Sequence, residues 1–209
     1  MESRTMKLYG SLTSPFVRAV RIAAIELKLA DEIEFVATVV KPTAPNRSFG
    51  KDVNPVRRVP ALETANGEIL VDSRVIIEHL NNVGRGTFIP NETGARVACL
   101  NRHAIVAGAT EALVSAMYET RLRPAEFQWP DWVDDQIDKA EKALDWAEGN
   151  LDGFSQSFDL SVAALICLLD YAEFRFAERD WRKGRAKLDG YVSAMSARSS
   201  IRETTPPVA

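Results

Sequence analysis

The spacing of apolar and polar positions in about the first eighty residues alternates between strand and helix signals. Residues 6–9 form a short apolar run typical of a strand, and Pro15 opens a segment with helical spacing. The β-branched run at residues 34–40 predicts a second strand. A strand, a helix and a strand in this order imply a parallel strand pair. Residues 41–58 are rich in Pro, Asn and Gly and predict an irregular connection with about one helical turn.

A hairpin signal follows this connection. The Asn66-Gly67 dipeptide separates apolar runs at residues 61–64 and 68–71, which is typical of two antiparallel strands joined by a tight turn. Asp72 or Ser73 then provides a side-chain cap for a helix that is expected to reach about residue 82.

The rest of the chain has helical periodicity and no convincing strand pattern. Residues 84–94 carry glycines and a proline and predict a linker. Helices are expected over residues 96–120, where Gly108 is a candidate kink, and from Pro130 onward. Residues 160–175 are apolar nearly all round at their start, which indicates a helix buried in the centre of a domain. One further helix is expected around residues 188–195.

These elements predict an α+β fold class with two domains. The first, residues 1–83, has the order β-α-β followed by β-β-α and is expected to be thioredoxin-like. The linker is placed at 84–94, and residues 95–209 are expected to form an all-helical domain.

Composition and charge argue against several classes of partner and site. A net charge of −3 offers no electrostatic reason to expect nucleic acid or an anionic membrane. Cys99 and Cys167 lie in apolar helical segments without metal-ligand or disulfide spacing, so we expect buried free thiols and no metal site. Residues 1–20 contain charges and no apolar core, and the longest apolar run, Val162–Leu169, is too short to cross a bilayer. We therefore expect a cytoplasmic location.

Five ordered motifs carry a resemblance to a known family. They are Tyr9–Arg18 with its T-S-P-F-V-R core, Asn54–Leu62, Leu70–Leu80, Asp170–Arg175 with its F-R ending, and Thr204–Pro207. In order and spacing, the set resembles a group of small bacterial glutathione transferases. Each motif alone is weak, whereas the ordered set is specific. The resemblance covers nearly the whole chain.

The resemblance implies that Ser14 faces the thiol of glutathione, with Thr13 and Ser11 as alternatives. A hydroxyl beside the first turn of the helix opened by Pro15 lies near unpaired backbone N–H groups at a positive helix end. That environment favours a thiolate over a thiol, which is the catalytic requirement. The simpler interpretation of Ser14 is a helix N-cap without a further role.

The resemblance also assigns residues that bind the rest of glutathione. The matching positions are Phe16, Lys41, Arg58, Val59, Pro60, Asp72 and Ser73. A cis bond at Val59-Pro60 would let the Val59 backbone pair with the cysteinyl main chain. Ser73 would hold the γ-glutamyl carboxylate, Asp72 would face the α-ammonium, and Lys41 and Arg58 would meet the glycyl carboxylate. The alternatives are a trans proline at a strand start, plain helix caps and solvated surface charges.

For the second substrate, the resemblance indicates the end of the first long helix, with Tyr118, Arg121 and Arg123. The implied activity is attack of activated glutathione on a small-molecule electrophile in detoxification, with peroxidase side activity also compatible. Glutathione is a substrate in this scheme and no metal is needed. A non-catalytic module of the same fold that binds ligands or a partner protein is the alternative. The missing cysteine in the Ser11–Pro15 turn argues against disulfide chemistry.

Two structural expectations complete the picture. Family members of this kind pair as two-fold homodimers, and the many small residues of the helix at 96–120 would permit close approach of a partner. The usual S-x-x-D capping box before the central helix is not intact, because Gln156 stands three residues before Asp159. Asp159 is still expected to cap the helix that begins at Leu160.

Overall fold

The computed structural model describes residues 5–154 and 157–207, which divide into two compact units. The first unit runs to Ile89 and also takes in the chain from Ser199 onward, and the second runs from Pro90 to Arg198. The division falls within the segment 84–94 that was predicted to be a linker. The return of the C-terminal segment to the first unit is a feature that no sequence pattern indicated.

The first unit contains a four-stranded sheet. Its strands are β1 (Met6–Gly10), β2 (Ile33–Ala37), β3 (Ala61–Glu63) and β4 (Ile69–Val71), arranged in the order β2-β1-β3-β4. Strand β1 pairs in parallel with β2 and antiparallel with β3, which is antiparallel to β4. This mixed sheet is the predicted thioredoxin-like arrangement, and both the parallel pair and the hairpin are confirmed.

Three helices accompany this sheet: α1 (Pro15–Glu26), α2 (Arg47–Asp52) and α3 (Ser73–Val83). Helix α1 begins at a proline, which suits the first helical position because no N–H is needed there. Its apolar face is buried together with the inner faces of α3 and the central strands. The core of the unit includes the fully or almost fully buried side chains of Leu8, Val17, Val20, Leu62, Ile76 and Ile77.

The second unit contains helices and no strand among its described residues. It contains α4 (Thr93–Leu122), α5 (Pro130–Gly149), α6 (Leu151–Phe154), α7 (Leu160–Arg175) and α8 (Ala186–Met195). The predicted central helix is confirmed, because every residue of α7 from its first to its tenth position is buried. Helix α4 runs without interruption through Gly108, so no break occurs at the candidate kink. None of the described helices combines the length and apolarity needed to cross a bilayer.

The N-terminus of α7 is held by a buried carboxylate. Asp159 accepts hydrogen bonds from the backbone N–H groups of Ser161 at 2.8 Å and Val162 at 3.1 Å, which confirms the predicted cap. Arg102 of α4 donates to the same carboxyl group at 3.2 Å. The Gln156 position of the incomplete capping box lies outside the described residues.

The last helix, α9 (Ser199–Arg202), belongs to the first unit and packs against α1. Ser200 and Thr204 of this C-terminal segment are fully buried although both are polar. Their hydroxyl groups are satisfied by hydrogen bonds, as buried polar groups require.

Candidate functional site

The strand register brings three sequence motifs to one edge of the sheet. Tyr9, near the end of β1, pairs with Ala61 at the start of β3, and Ala61 pairs in turn with Val71 at the end of β4. The segments that leave or enter the sheet at this edge are Ser11–Ser14, Val59-Pro60 and Asp72-Ser73. Side chains that are far apart in the sequence are therefore gathered within one small region of the first unit.

The three hydroxyl groups of the first segment have different surroundings. Ser14 caps α1, and its Oγ accepts a long hydrogen bond of 3.4 Å from the N–H of Val17. The Ser11 and Thr13 hydroxyls instead bond to each other at 3.0 Å. Among the described residues, no hydrogen bond takes the proton of the Ser14 hydroxyl. Ser14 is half-buried at the N-cap of α1, where its hydroxyl proton can be donated to a ligand.

The second segment has the predicted cis peptide bond between Val59 and Pro60. Pro60 is buried while Val59 is partly exposed. The preceding turn is organised by Asn54, whose Nδ2 donates to the carbonyl of Arg58 at 2.8 Å and whose Oδ1 accepts from the N–H of Val56 at 3.1 Å. Asn54 is only 2% exposed. Its supporting role was missed from the sequence, although the Asn-Pro dipeptide was a signal for a turn.

The third segment is the start of α3. Asp72 lies at φ +74° and its Oδ1 accepts a hydrogen bond of 2.8 Å from the N–H of Arg74, so the predicted cap is confirmed. The Asp72 side chain is exposed, whereas Ser73 is buried at the first helical position. A carboxylate with one oxygen in the cap and the other open to solvent can still receive a cation.

The remaining residues predicted to bind glutathione lie around this edge. Phe16 is partly exposed in the first turn of α1. Arg58 directly precedes the cis bond, and Lys41 lies in the connection that follows β2, where its backbone pairs with Ala44. Both cations are exposed, and neither has an ion-pair partner among the described residues. Two unpaired positive charges can therefore meet an anionic ligand.

The residues predicted for a second substrate lie at the C-terminal end of α4, in the second unit. Arg121 donates from Nη2 to the carbonyl of Arg175 at 2.7 Å. Arg123 is paired with the Glu119 carboxylate at 2.7 Å, so its charge is already compensated. Tyr118 is half-buried.

A cavity of about 300 Å³ lies at the opposite end of the sheet, near the start of β1. Its lining includes Met6, Asp31, Asn66 and His79, and none of the residues predicted to bind glutathione. The cavity is therefore separate from the edge described above. The described parts of the chain also contain no group of three or more His, Cys, Asp or Glu side chains arranged to hold a metal ion.

Comparison with known sequences identifies relatives. Residues 8–85 match the family model of the glutathione S-transferase N-terminal domain. The chain is 31% identical over 209 residues to the uncharacterized GST-like protein YibF of Escherichia coli (strain K12). That alignment covers 98% of this chain and all of YibF.

Comparison with solved structures gives matches of similar extent. A glutathione transferase family member from Pseudomonas fluorescens Pf-5 with bound glutathione superimposes with a TM-score of 0.93 at 33% identity, covering 97% of this chain and 100% of that one. A structure from the same organism holds S-(propanoic acid)-glutathione and matches with a TM-score of 0.89 at 31% identity over the same shares. A glutathione-bound transferase from Methylobacillus flagellatus KT has a TM-score of 0.86 at 33% identity, with coverage of 97% and 100%.

Proposed function

The chain belongs to the glutathione S-transferase family, and on this premise we propose that it binds glutathione at the sheet edge and activates its thiol. The observation that carries the proposal is the register of β1, β3 and β4, which gathers the Ser14, Val59-Pro60 and Asp72-Ser73 segments. Glutathione is an extended peptide with two carboxylates and one ammonium group. The edge offers a backbone for pairing, helix starts for anions and side chains of both charges.

Each part of glutathione then has a partner of matching chemistry. The Val59 backbone pairs with the cysteinyl main chain, and the γ-glutamyl carboxylate is held at the start of α3 by Ser73. Asp72 offers its open carboxylate oxygen to the α-ammonium. The charges of Lys41 and Arg58 attract the glycyl carboxylate, which further favours binding of a dianionic peptide. Phe16 packs beside the bound peptide.

Thiol activation is assigned to Ser14 at the N-terminus of α1. A hydroxyl that donates to sulfur and the positive end of a helix both stabilise a thiolate relative to a thiol. Ser14 is favoured over Ser11 and Thr13 because its hydroxyl is the N-cap of α1 and so lies directly at the positive end of that helix. The bound thiol should therefore have a pKa below its ordinary value of about 8.5.

The reaction we propose is transfer of the glutathione sulfur to a small-molecule electrophile, with Tyr118, Arg121 and Arg123 as candidates for its recognition. The related protein that holds S-(propanoic acid)-glutathione supports this reaction class, since that ligand is glutathione substituted at sulfur. Peroxidase side activity would use the same thiolate. Formation of the thiolate distinguishes the proposed enzyme from the alternative, a non-catalytic binding module.

The decisive experiment measures glutathione binding by calorimetry and thiolate formation by ultraviolet difference absorption across pH. We expect binding together with a thiolate signal that persists below pH 8. Binding without thiolate at neutral pH would favour a non-catalytic module that binds glutathione, and absence of binding would contradict the proposed function.

We further propose that the chain forms a two-fold homodimer. Apolar side chains are exposed on α4, where Val97 is 62% and Ile105 is 36% exposed, and at the start of α3, where Val75 is 44% exposed. Strand β4 is an edge strand, which leaves a sheet margin that a partner can cover. Such features on a folded chain are typical of an interface.

A further inference from the structure

Asn54 connects the end of α2 to the segment that carries Val59. It is only 2% exposed. Its backbone N–H donates to the carbonyl of Phe49 in α2 at 2.9 Å, and its own carbonyl accepts from the N–H of Arg57 at 2.8 Å. Its side-chain Nδ2 donates to the carbonyl of Arg58 at 2.8 Å. The residue therefore bridges the helix that precedes it and the turn that follows it.

The α2 end of this bridge is anchored in the core of the first unit. Phe49 is buried, and its ring packs against Tyr9 of β1 with the ring centroids 5.9 Å apart. Val53 and Asn54 both donate their N–H groups to the Phe49 carbonyl, at 3.0 Å and 2.9 Å. Because β1 belongs to the sheet whose edge gathers the glutathione segments, the Asn54 carboxamide acts from a position that is fixed relative to that edge.

The turn after Asn54 contains an unfavourable backbone conformation. Arg57 lies at φ +51°, in the left-handed region that a residue with a Cβ atom rarely adopts. Such a conformation persists where the surrounding contacts determine it, and it is frequent at ligand sites. Here the Arg57 N–H bonds to the Asn54 carbonyl, and the Arg57 stem packs over Gly50, where a Cβ atom would lie only 2.9 Å from the Arg57 Cγ. The shape of the turn is therefore specified by contacts that include Asn54.

The Asn54 carboxamide determines the direction of the Val59 N–H. The Arg58 carbonyl and the Val59 N–H belong to one peptide unit, which is trans. In a planar trans peptide the C=O and N–H bonds point in opposite directions. Since the Arg58 carbonyl is directed to the buried Asn54, the Val59 N–H is directed away from it. An antiparallel backbone pair exchanges two N–H···O bonds, so this N–H is one of the two groups through which Val59 can pair with a peptide.

We propose that Asn54 is a positioning residue for glutathione, which directs the Val59 N–H at the carbonyl group of the cysteinyl residue. Asn54 acts through the plane of the Arg58–Val59 peptide and not by contact with the ligand. This inference rests on the proposed function, because pairing of the Val59 backbone with the cysteinyl main chain is part of it. Loss of the Nδ2 donor should weaken recognition of that one carbonyl group, whereas a general loss of structure would weaken every contact with the ligand.

The test compares glutathione with an isostere that has an E-alkene in place of the cysteinyl–glycine amide. The isostere keeps the thiol, the ammonium group and both carboxylates, but it has no carbonyl group to accept from Val59. By calorimetry, we expect the wild-type protein to bind glutathione roughly tenfold more tightly than the isostere, as for the loss of one hydrogen bond.

The variants are Asn54→Asp and Asn54→Ser. An ionised aspartate has nearly the same shape and still accepts from the Val56 N–H, but it has no hydrogen to donate to the Arg58 carbonyl. Serine removes the same donor without burying a charge, so it replaces the aspartate variant if that variant does not fold. Each variant should bind glutathione roughly tenfold more weakly and the isostere within about twofold of the wild type, which removes the preference.

Asn81→Asp is the matched control. Asn81 is 4% exposed, and its Oδ1 accepts from the N–H of Ile89 at 3.1 Å in the last turns of α3. The substitution therefore also places a carboxylate at a buried asparagine whose side chain supports the backbone. It should lower the stability of the first unit while leaving the preference for glutathione over the isostere unchanged.

The outcomes separate this inference from the proposed function. Equal affinity for the two ligands in a wild-type protein that binds glutathione would overturn the direction assigned to the Val59 N–H and leave glutathione binding at the sheet edge standing. A preference that survives both Asn54→Asp and Asn54→Ser would overturn the role of Asn54. So would equal weakening of both ligands in these variants, or loss of the preference in Asn81→Asp as well. Failure of the wild type to bind either ligand would remove both proposals.

Discussion

Arg18 and Thr204 are separated by 186 positions in the sequence, yet the Arg18 Nε donates a hydrogen bond of 3.4 Å to the Thr204 hydroxyl. Both residues are buried. The Thr204 hydroxyl also donates to the carbonyl of Ser200 at 2.6 Å, and the Ser200 hydroxyl donates to Glu26 at the end of α1. Hydrogen bonds therefore join the C-terminal segment to α1, the helix that Ser14 caps.

This arrangement predicts that Thr204→Val destabilises the first unit. Valine has nearly the same shape but can neither accept from Arg18 nor donate to Ser200, and lost partners of buried polar groups cost about 1–3 kcal/mol. Denaturant unfolding followed by circular dichroism measures the loss. Thr205→Val is the matched control, because its hydroxyl bonds only within the segment and the residue is exposed. Equal effects of the two substitutions would contradict the prediction.

Ser14→Ala should lower turnover more than it lowers stability. The cap bond to Val17 is long, so its loss should cost only about 0.5 kcal/mol. Loss of a hydrogen bond to a charged sulfur should reduce kcat/KM roughly tenfold at neutral pH. Because the pKa of the bound thiol then rises, the activity should recover as pH increases. Ser11→Ala and Thr13→Ala are the controls, and a larger effect from either would move the thiol contact to that residue.

Substitution of Asp72 can distinguish its role as a helix cap from its proposed role in binding glutathione. Asparagine keeps a cap oxygen for the Arg74 N–H but has no charge, so Asp72→Asn should change stability by less than about 0.5 kcal/mol. If the carboxylate binds the α-ammonium of glutathione, the same substitution should weaken binding about tenfold. Calorimetric titration measures the affinity of the variant for glutathione. An unchanged affinity in Asp72→Asn would leave Asp72 with its capping role alone.

The elements that the sequence predicted well are those in which apolar periodicity and burial coincide. The central helix was predicted and found over the same residues, 160–175, because its first ten positions are all buried and its cap is a single recognisable Asp. Helix α2 was expected only as about one turn, because the Pro, Asn and Gly residues around it favour turns and leave no clear helical periodicity. Asn46 does cap it, accepting from the Phe49 N–H at 3.1 Å, and was the local signal for its start.

The features that could not be predicted depend on contacts between distant residues. Helix α9 has only four residues, too few for periodicity, and the hydroxyl of its Ser200 donates a hydrogen bond to Glu26 of α1. The pairing of Arg123 with Glu119 follows from helical spacing of four residues. The lack of an acceptor for the buried Nε of Arg175 instead depends on which side chains the fold brings near it. That the three segments Ser11–Ser14, Val59-Pro60 and Asp72-Ser73 lie close together could be predicted only from the family resemblance. The strand register that brings them together is not visible in a single sequence.

Cys99 should be unreactive in the folded protein. Burial raises the pKa of its thiol to about 11, and the neighbouring Asp159 carboxylate acts in the same direction. At pH 8 the thiolate fraction is then roughly a thousandth, and the side chain is fully buried. Iodoacetamide at pH 8 should label neither Cys99 nor the buried Cys167 in the native state and both in denaturant, as mass spectrometry can count. Rapid native labelling of Cys99 would contradict the buried environment.

The exposed face of α4 leads to a prediction about assembly. Val97, Ala104, Ile105 and Gly108 follow helical spacing and are all exposed, so they form one apolar stripe on the surface of the chain. In a two-fold interface each residue is present twice, and Ile105→Glu would place two like charges in the contact. Light scattering at micromolar concentration should give about twice 23.2 kDa for the wild type and about that single-chain mass for Ile105→Glu.

Phe127→Glu is the control for this experiment, because Phe127 is 66% exposed but lies beyond the end of α4 and outside the stripe. It should leave the dimer intact, which would show that a new surface charge alone does not dissociate the subunits. A wild-type mass of one chain, unchanged on addition of glutathione, would refute the dimer. A dimer that survives Ile105→Glu would instead place the interface elsewhere, with the margin of β4 and the exposed Val75 as the next surface to substitute.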